Sequence, residues 1–543
     1  MRRKILSQSR CTTRTVIFMI YRKKYISAFL AGLMLISSTS CVKSGVSDEN
    51  TEKVNANQEN SAEQSEEKNL SVPEESSAES TENQTDPAEI PESDIQETQP
   101  SSEELTSEEQ HSQKSDFLKG NIYDSNGIAI VYNRPNSKGE YKRVFADDYA
   151  IPFANVVCEL SEGLDSKFEN LLTKKNPSPV NSNENTGQSI QLTLDANIQS
   201  AIYNYMAYNN MIGSVVVMRT DGSLMAEVSY PSYDPEYFYE NPDTNEDLAW
   251  GTYGNKAFQN AAPGSCFKIM SEVISDMNGI YSLWDEGVWT DDGSTVLDWD
   301  YAENPYYPME RSLYSAFINS SNIFFAKSFS YIGADTVLYQ LNDVFHFGWG
   351  NDIECDFGTI SNNIEIYCDD DLRRSAFGQS YVLTSPIYLA SLGREALFGD
   401  MVTPFVLRNV VDTNNSSKII ESGTESYQIL GTIPYEYRQN LLDGMIGVAN
   451  NIGLYAPYNY NVYAKTGTAE TDAGDILYIT GGLRNVDDIS YNQPAYANDY
   501  SDYWETGSYV IVMQIKNADY FGFDFASQSS YLYQGIINML VGY

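Results

Sequence analysis

Short runs of alternating apolar and polar residues stand at both ends of the folded part of this chain, and the stretch between them has a helical period. From Ser189 the residues Ile190-Gln191-Leu192-Thr193-Leu194 alternate as a strand. Asp195 stands where a helix N-cap accepts free N–H groups. Ile198, Ala201, Ile202 and Met206 then form one stripe of a helix predicted over 196–208. Gly213 to Met218 reads as a buried strand, Arg219-Thr220-Asp221-Gly222 as a turn, and 223–230 as the returning strand. Three more strand-like stretches follow at 460–468, 476–483 and 508–515, and a helix over 527–541 closes the chain. Between about 265 and 455 the pattern is mostly helical, with polar loops expected at 282–308 and 412–426. This order predicts an α+β domain: an antiparallel five-stranded sheet flanked by helices, with a helical insert. No internal repeat is visible.

Upstream the pattern changes twice. Residues 117–190 form a small N-terminal module: Asn126-Gly127 is a hairpin signal between Ile122 and the strand-like Ile128 to Tyr132, Leu164 to Leu172 is helix-like, and 173–190 reads as a linker. Residues 42–116 are rich in Ser, Glu, Gln, Asn and Thr and contain no aromatic residue, so they cannot bury enough apolar surface to fold. As a coil of about 75 residues this tether reaches roughly 50 Å. Residues 1–41 read as an export signal: Arg22, Lys23 and Lys24 precede the apolar run Ile26 to Ile36, which is too short to span a bilayer. Small residues then lead to Cys41, as in the lipobox of a bacterial lipoprotein, so lipidation of Cys41 and anchoring to the outer face of the cell membrane are expected. A plain cleaved signal is the alternative, and Met19 offers a second start. The resulting division is signal 1–41, tether 42–116, module 117–190 and main domain 191–543.

Composition narrows the chemistry. The 543 residues carry a formal net charge of −41, which argues against a nucleic-acid-binding face. Only two histidines occur, His111 and His346, so Ser-His-Asp catalysis and multi-histidine metal sites are disfavoured. The six cysteines form no C-x-x-C pair, which argues against zinc. Cys355 and Cys368 could bridge in an oxidising compartment, but nothing in the sequence requires it. Catalysis here needs a base other than histidine.

The stretch Ala261-Ala262-Pro263-Gly264-Ser265-Cys266-Phe267-Lys268-Ile269-Met270 supplies one. With Ser265 in the first turn of a helix, Lys268 lies on the same face, and an amine kept from water loses basicity and can take the hydroxyl proton. Cys266 is a rival nucleophile with no histidine nearby in sequence to activate it. Two further motifs follow in order: Ser320-Ser321-Asn322, expected on a loop, and Lys465-Thr466-Gly467-Thr468, expected on a strand. Ser320 can relay a proton and Asn322 can bind an amide. Thr466 and Thr468 share one face of a strand, so both hydroxyls can meet one carboxylate. Gly467 permits close backbone approach. Lys465 points to the opposite face of an ideal strand and must reach around.

Together these motifs resemble those of class B penicillin-binding proteins, the monofunctional peptidoglycan transpeptidases. The resemblance extends to Gln191-Leu192-Thr193-Leu194-Asp195, to Gly213–Met218 with Pro231-Ser232-Tyr233-Asp234-Pro235, to Gly378-Gln379-Ser380 with Thr384 and Pro386, to Lys465–Glu470, and to Gly120-x-Ile122-x-Asp124-x-x-Gly127. Departures are Lys119, Cys266, and Ser380 in place of a second glycine. The resemblance implies the penicillin-binding-protein transpeptidase fold, shared with serine β-lactamases, and an acyl-enzyme on Ser265 with Lys268 as base and no metal or organic cofactor. Ser320, Asn322 and Lys465 would complete the catalytic set. Thr466, Gly467 and Thr468 would bind substrate, and the backbone N–H groups of Ser265 and Thr468 would form the oxyanion hole. The implied partners are peptidoglycan stem peptides (a D-Ala-D-Ala donor and an amine acceptor), β-lactams, the membrane through the lipid anchor, and a glycan-polymerising membrane protein. A β-lactam hydrolase of the class D type, a D,D-carboxypeptidase and a non-catalytic sensor stay open as alternatives.

Overall fold

The fold is seen in a computed structural model that describes residues 117–542, apart from 159–162, 181–182, 241–251, 253, 292–293, 424–427, 472–473, 487–506, 517 and 519–524. The expected signal with Cys41 and the expected tether lie outside the described residues. In chain order the strands of the two large sheets are β1 (Ile122–Tyr123), β2 (Ala129–Pro135), β3 (Tyr141–Phe145), β4 (Ser189–Leu192), β5 (Gly213–Arg219), β6 (Leu224–Tyr230), β7 (Leu407–Asp412), β8 (Asn415–Ser422), β9 (Tyr460–Ala469), β10 (Ile476–Asn485) and β11 (Tyr509–Ile515). The helices used below are α1 (Ala196–Tyr208), α2 (Lys268–Met277), α3 (Asn322–Ile332), α4 (Pro386–Phe398) and α5 (Tyr435–Asn451).

The main sheet has the order β9-β10-β11-β5-β6, antiparallel throughout. Every residue of β5 is buried, as its unbroken Val-Val-Val run requires of a strand covered on both faces. Helix α4 packs on β5, β10 and β11 and is buried from Pro386 to Leu397. A helix buried on all sides sits inside the fold, and its Arg394 is met there by the Thr220 carbonyl at 2.9 Å. Asp195 caps α1 through its Oδ1, which accepts the N–H groups of Asn197 at 2.9 Å and Ile198 at 3.0 Å. Within α1, Gln199 covers the sheet edge at β6. Its Oε1 accepts the Glu227 N–H at 2.8 Å and its Nε2 donates to the Glu227 carbonyl at 2.6 Å. The opposite edge, β9, carries the Lys-Thr-Gly motif.

The second sheet has the order β8-β7-β4-β1-β2-β3. Strand β4 straddles the expected boundary at residue 190, and β7 and β8 come from far downstream. The module expected over 117–190 thus shares its sheet with the main domain. Three local expectations are corrected. The polar loop expected at 282–308 contains strands Ser282–Asp285, Val288–Asp291 and Ser294–Leu297; the first pairs with Met309–Ser312 and the other two form a ribbon. The loop expected at 412–426 contains β8, a mostly exposed edge strand with no apolar alternation to reveal it. The helix expected over 164–172 is two single turns, Leu164–Lys167 and Glu169–Leu172. Cys355 and Cys368 are both free thiols. No helix among the described residues is long and apolar enough to cross a membrane.

Candidate active site

The site lies between the edge strand β9 and the helices of the insert. Pro263 and Gly264 turn the chain into a 3₁₀ turn, Gly264–Phe267, which runs directly into α2 at Lys268. Gly264 sits at φ +52°, and a Cβ there would lie 2.1 Å from the Thr468 carbonyl oxygen. Gly467 answers from the strand side: its added Cβ would lie 2.7 Å from the Pro263 carbonyl oxygen and 2.9 Å from the Cys266 nitrogen. Two backbones at van der Waals distance therefore bring Ser265 beside Thr468. Thr466 and Thr468 are partly exposed, whereas Lys465 is buried.

Lys268 is fully buried at the centre of the cluster. Its Nζ lies 2.9 Å from Ser265 Oγ, 2.8 Å from the Ser320 carbonyl oxygen, 2.7 Å from Asn322 Oδ1 and 3.2 Å from Ser320 Oγ. A carbonyl and an amide oxygen can only accept. A neutral amine has two N–H groups, which these two oxygens occupy, so its lone pair is left for the Ser265 hydroxyl. Burial holds the Lys268 ammonium well below its ordinary range, and the like charge of Lys465 pushes it the same way. Burial also brings Lys465 down to about 8. The Lys465 stem does reach around as the strand parity required: its Nζ lies 3.1 Å from Ser320 Oγ and donates to the Thr466 carbonyl at 3.0 Å. Ser320 Oγ is thus shared between two amines.

Ser320 occupies a left-handed turn at φ +55°. Asn322 was expected on a loop with it but begins helix α3, with Ser321 as the N-cap. The Asn322 Nδ2 donates to the Leu297 carbonyl at 3.0 Å, which turns Oδ1 toward Lys268. Cys266 is buried, and its Sγ donates to the Lys465 carbonyl at 3.3 Å. Burial raises this thiol to about 11, which keeps it neutral and ties it to the strand rather than to chemistry. Behind the nucleophile, the Gly264 N–H donates to the Gly378 carbonyl at 3.1 Å. Ser380, which stands where the resembling family has glycine, is at φ +63° and donates its hydroxyl to Asp371 Oδ1 at 2.8 Å. Among the described residues no group of three or more His, Cys, Asp or Glu could hold a metal ion.

Sequence reading placed all eight motif residues, Ser265, Lys268, Ser320, Asn322 and Lys465 to Thr468, and the structure brings them into one cluster. It missed Leu297 and Asp298, whose contacts with the Asn322 turn come from the segment read as a polar loop. A lone Asp between Leu and Trp gives no signal of this.

A family model described as penicillin binding protein transpeptidase domain matches residues 213–476. The chain is 25% identical over 312 residues to "Penicillin-binding protein 3" of Bacillus subtilis, covering 52% of this chain and 43% of that one. It is 25% identical over 368 residues to "Peptidoglycan D,D-transpeptidase MrdA" of Haemophilus influenzae, covering 61% and 54%. The chain thus spans about half the length of these curated relatives. Penicillin-binding protein A of M. tuberculosis, solved as a ceftriaxone acyl-enzyme complex, superposes with a TM-score of 0.64 at 16% identity, covering 78% of this chain and 98% of that chain. The D,D-transpeptidase domain of a peptidoglycan glycosyltransferase from Eggerthella lenta gives 0.61 at 18%, covering 79% and 99%. The fold is that of penicillin-binding-protein transpeptidase domains, and residues 213–476 carry the sequence pattern of that domain.

Proposed function

We propose that this chain is a peptidoglycan D,D-transpeptidase working through an acyl-enzyme on Ser265. The observation that carries the reading is the buried Lys268 amine, 2.9 Å from Ser265 Oγ and held by two oxygens that can only accept. Ser265 Oγ attacks the carbonyl between two D-alanines of a stem peptide as Lys268 takes its proton. The backbone N–H groups of Ser265 and Thr468 hold the oxyanion. Ser320, between the two amines, passes the proton to the nitrogen of the leaving D-alanine. Thr466 and Thr468 bind the terminal carboxylate beside the charge of Lys465. The amine of a second stem peptide then attacks the ester, forms the cross-link and frees Ser265. No metal or organic cofactor enters the cycle.

β-Lactams would acylate the same oxygen. The site would work outside the cell membrane, held there by a lipid on Cys41 and the tether over 42–116, beside a membrane partner that polymerises glycan.

Ser265→Ala should abolish covalent labelling by a fluorescent penicillin; labelling that persists in the variant sinks the mechanism. Mass spectrometry of the domain after penicillin, and then after a donor–acceptor stem-peptide pair, separates the alternatives. A long-lived acyl-enzyme with cross-linked product supports the reading. Rapid deacylation supports a class D-like hydrolase, D-alanine release to water alone a carboxypeptidase, and acylation without D-alanine release a sensor.

A further inference from the structure

We propose that Asp298, locked in place by Asp285 and Arg311, is a positioning residue for acyl transfer: it holds the Ser320–Asn322 turn against Lys268 and supplies a negative charge that acts on that amine. The proposal rests on the acyl-enzyme reading of Ser265.

Asp298 follows the Val288–Leu297 ribbon and is buried. Its Oδ1 accepts the N–H groups of Asn322 at 2.7 Å and Ile323 at 3.0 Å, and lies 3.2 Å from Ser321 Oγ. These N–H groups open helix α3 and have no carbonyl partner within it. A carboxylate is the best acceptor there, because the partial positive charge of the helix start favours it. Residues on either side of Asp298 repeat the contact. The Leu297 carbonyl takes the Asn322 amide at 3.0 Å, and the Trp299 indole N–H donates to the Asn319 carbonyl at 2.9 Å. Three consecutive residues thus lie along the turn that presents Ser320 and Asn322, and both of those residues touch Lys268.

The lock behind Asp298 is ionic. Arg311 Nε donates to Asp285 Oδ2 at 2.6 Å, and its NH2 lies 3.7 Å from Asp298 Oδ2. Arg311 and Asp285 are buried with it. Tyr307 donates its hydroxyl to Asp298 Oδ2 at 2.9 Å or to Asp300 Oδ1 at 2.7 Å. Two buried carboxylates share one guanidinium. The excess negative charge is met by the start of helix α3. Burying three charged side chains is costly, and their interlocking geometry gains something a pair of apolar residues could not: a fixed acceptor at one place.

The charge has a direction of action. The groups facing Lys268 are Lys465 from β9, the neutral thiol of Cys266 and Asp298. Those facing Asp298 are Asp285, Tyr307 and Arg311 besides Lys268. Asp298 favours protonated Lys268, whereas burial and Lys465 favour the neutral base. Removing the Asp298 charge should therefore let Lys268 stay neutral to lower pH.

The test is the second-order rate of acylation by benzylpenicillin across pH, for the chain and its Asp298→Asn and Asp298→Ala variants, with thermal melts alongside. Asp298→Ala loses the acceptor, and the loosened turn should slow acylation about 100-fold. Asp298→Asn keeps an acceptor oxygen but no charge. It should stay within about tenfold of the parent at its own optimum, with the acid limb of the profile moved to lower pH. A merely structural role would lower the melting temperature and leave that limb in place. Parental rates in Asp298→Ala, or an unmoved or raised acid limb in Asp298→Asn, overturn the proposal. If the alanine variant fails to fold, the asparagine limb alone decides. Failure of the underlying reading looks different: no label on the parent chain, or label retained in Ser265→Ala.

Discussion

The two walls of the site are built on opposite principles. On one side stands β9, the edge of an antiparallel sheet, pressed against the nucleophile turn by backbone contacts at Gly467 and Gly264. On the other stands the Ser320–Asn322 turn, held from behind by the buried charges of Asp285, Asp298 and Arg311. The sheet wall brings one cation, Lys465, and pushes Lys268 toward its neutral form; the insert wall brings a carboxylate and pulls it back. A base needs both. Too little opposing charge and it is too weak to take a proton; too much and it is already protonated. The first wall depends on shape, the second on charge, and substitutions should separate them.

The largest effect is expected where the walls meet. Lys268→Ala removes the base and should slow acylation by about a thousandfold, within the range general bases contribute. Stopped-flow acylation by a penicillin measures it, and a near-normal rate would remove Lys268 from the role of base. Next comes the lock of the insert wall. Arg311→Leu leaves Asp285 and Asp298 buried without their cation, and breaking a buried pair this way costs about 3–5 kcal/mol. Chemical denaturation should show that loss, and it should shrink as pH falls and Asp298 protonates. Burial and the neighbouring Asp285 already hold Asp298 up at about 6, and loss of the Arg311 charge raises it further, so recovery should begin above that value. A pH-independent loss would mean that shape, not charge, governs the insert wall too.

How much of each wall was legible follows from the same difference. The sheet wall could be read from neighbours in sequence: Lys465, Thr466, Gly467 and Thr468 alternate on one strand, and β5, β6, β10 and β11 announce themselves by buried apolar runs. The nucleophile turn was legible through Pro263, Gly264 and the three-residue spacing to Lys268. The insert wall was not, because Asp298 meets Asn322 from 24 residues upstream, just past a ribbon whose four-residue strands show no alternation. The module boundary failed for a similar reason. β7 pairs with β4 across some 215 residues of chain, and nothing local to either strand encodes that pairing. Asn322 was misplaced onto a loop because Ser320-Ser321 reads as a turn. In fact Ser321 is an N-cap, and its Oγ accepts the Phe324 N–H at 3.1 Å.

Lys465→Met tests the sheet wall by charge. It removes the like charge that depresses Lys268, so the ammonium is favoured and the acid limb of acylation should move to higher pH. That is the reverse of the shift expected for Asp298→Asn. The two profiles, measured side by side, state whether the walls act on one amine in opposite senses. Shifts of the same sign would break the comparison. The rate at the optimum should also fall, because Ser320 Oγ loses its 3.1 Å partner.

Gly467→Ala tests the sheet wall by shape and should be milder. The added methyl meets backbone on the nucleophile turn at 2.7 and 2.9 Å and the Cys266 Sγ at 3.0 Å. Of these, only the sulfur belongs to a side chain that can move. The strand and the turn must therefore separate by a few tenths of an ångström, which displaces Thr468 from Ser265 without touching any charge. Acylation should fall about tenfold, as a small misplacement at a reacting centre does, while the acid limb stays where it is. Pairing the substitution with Cys266→Ala offers a check. Cutting away the sulfur gives the new methyl somewhere to go and should recover part of the rate, whereas a charge effect would be blind to it. Cys266→Ala alone should remain fully labelled by penicillin, because its neutral, buried thiol serves only to tie the turn to the Lys465 carbonyl. Recovery in the double variant with an unmoved pH profile would show that this wall is tuned by fit alone at Gly467 and by charge only through Lys465.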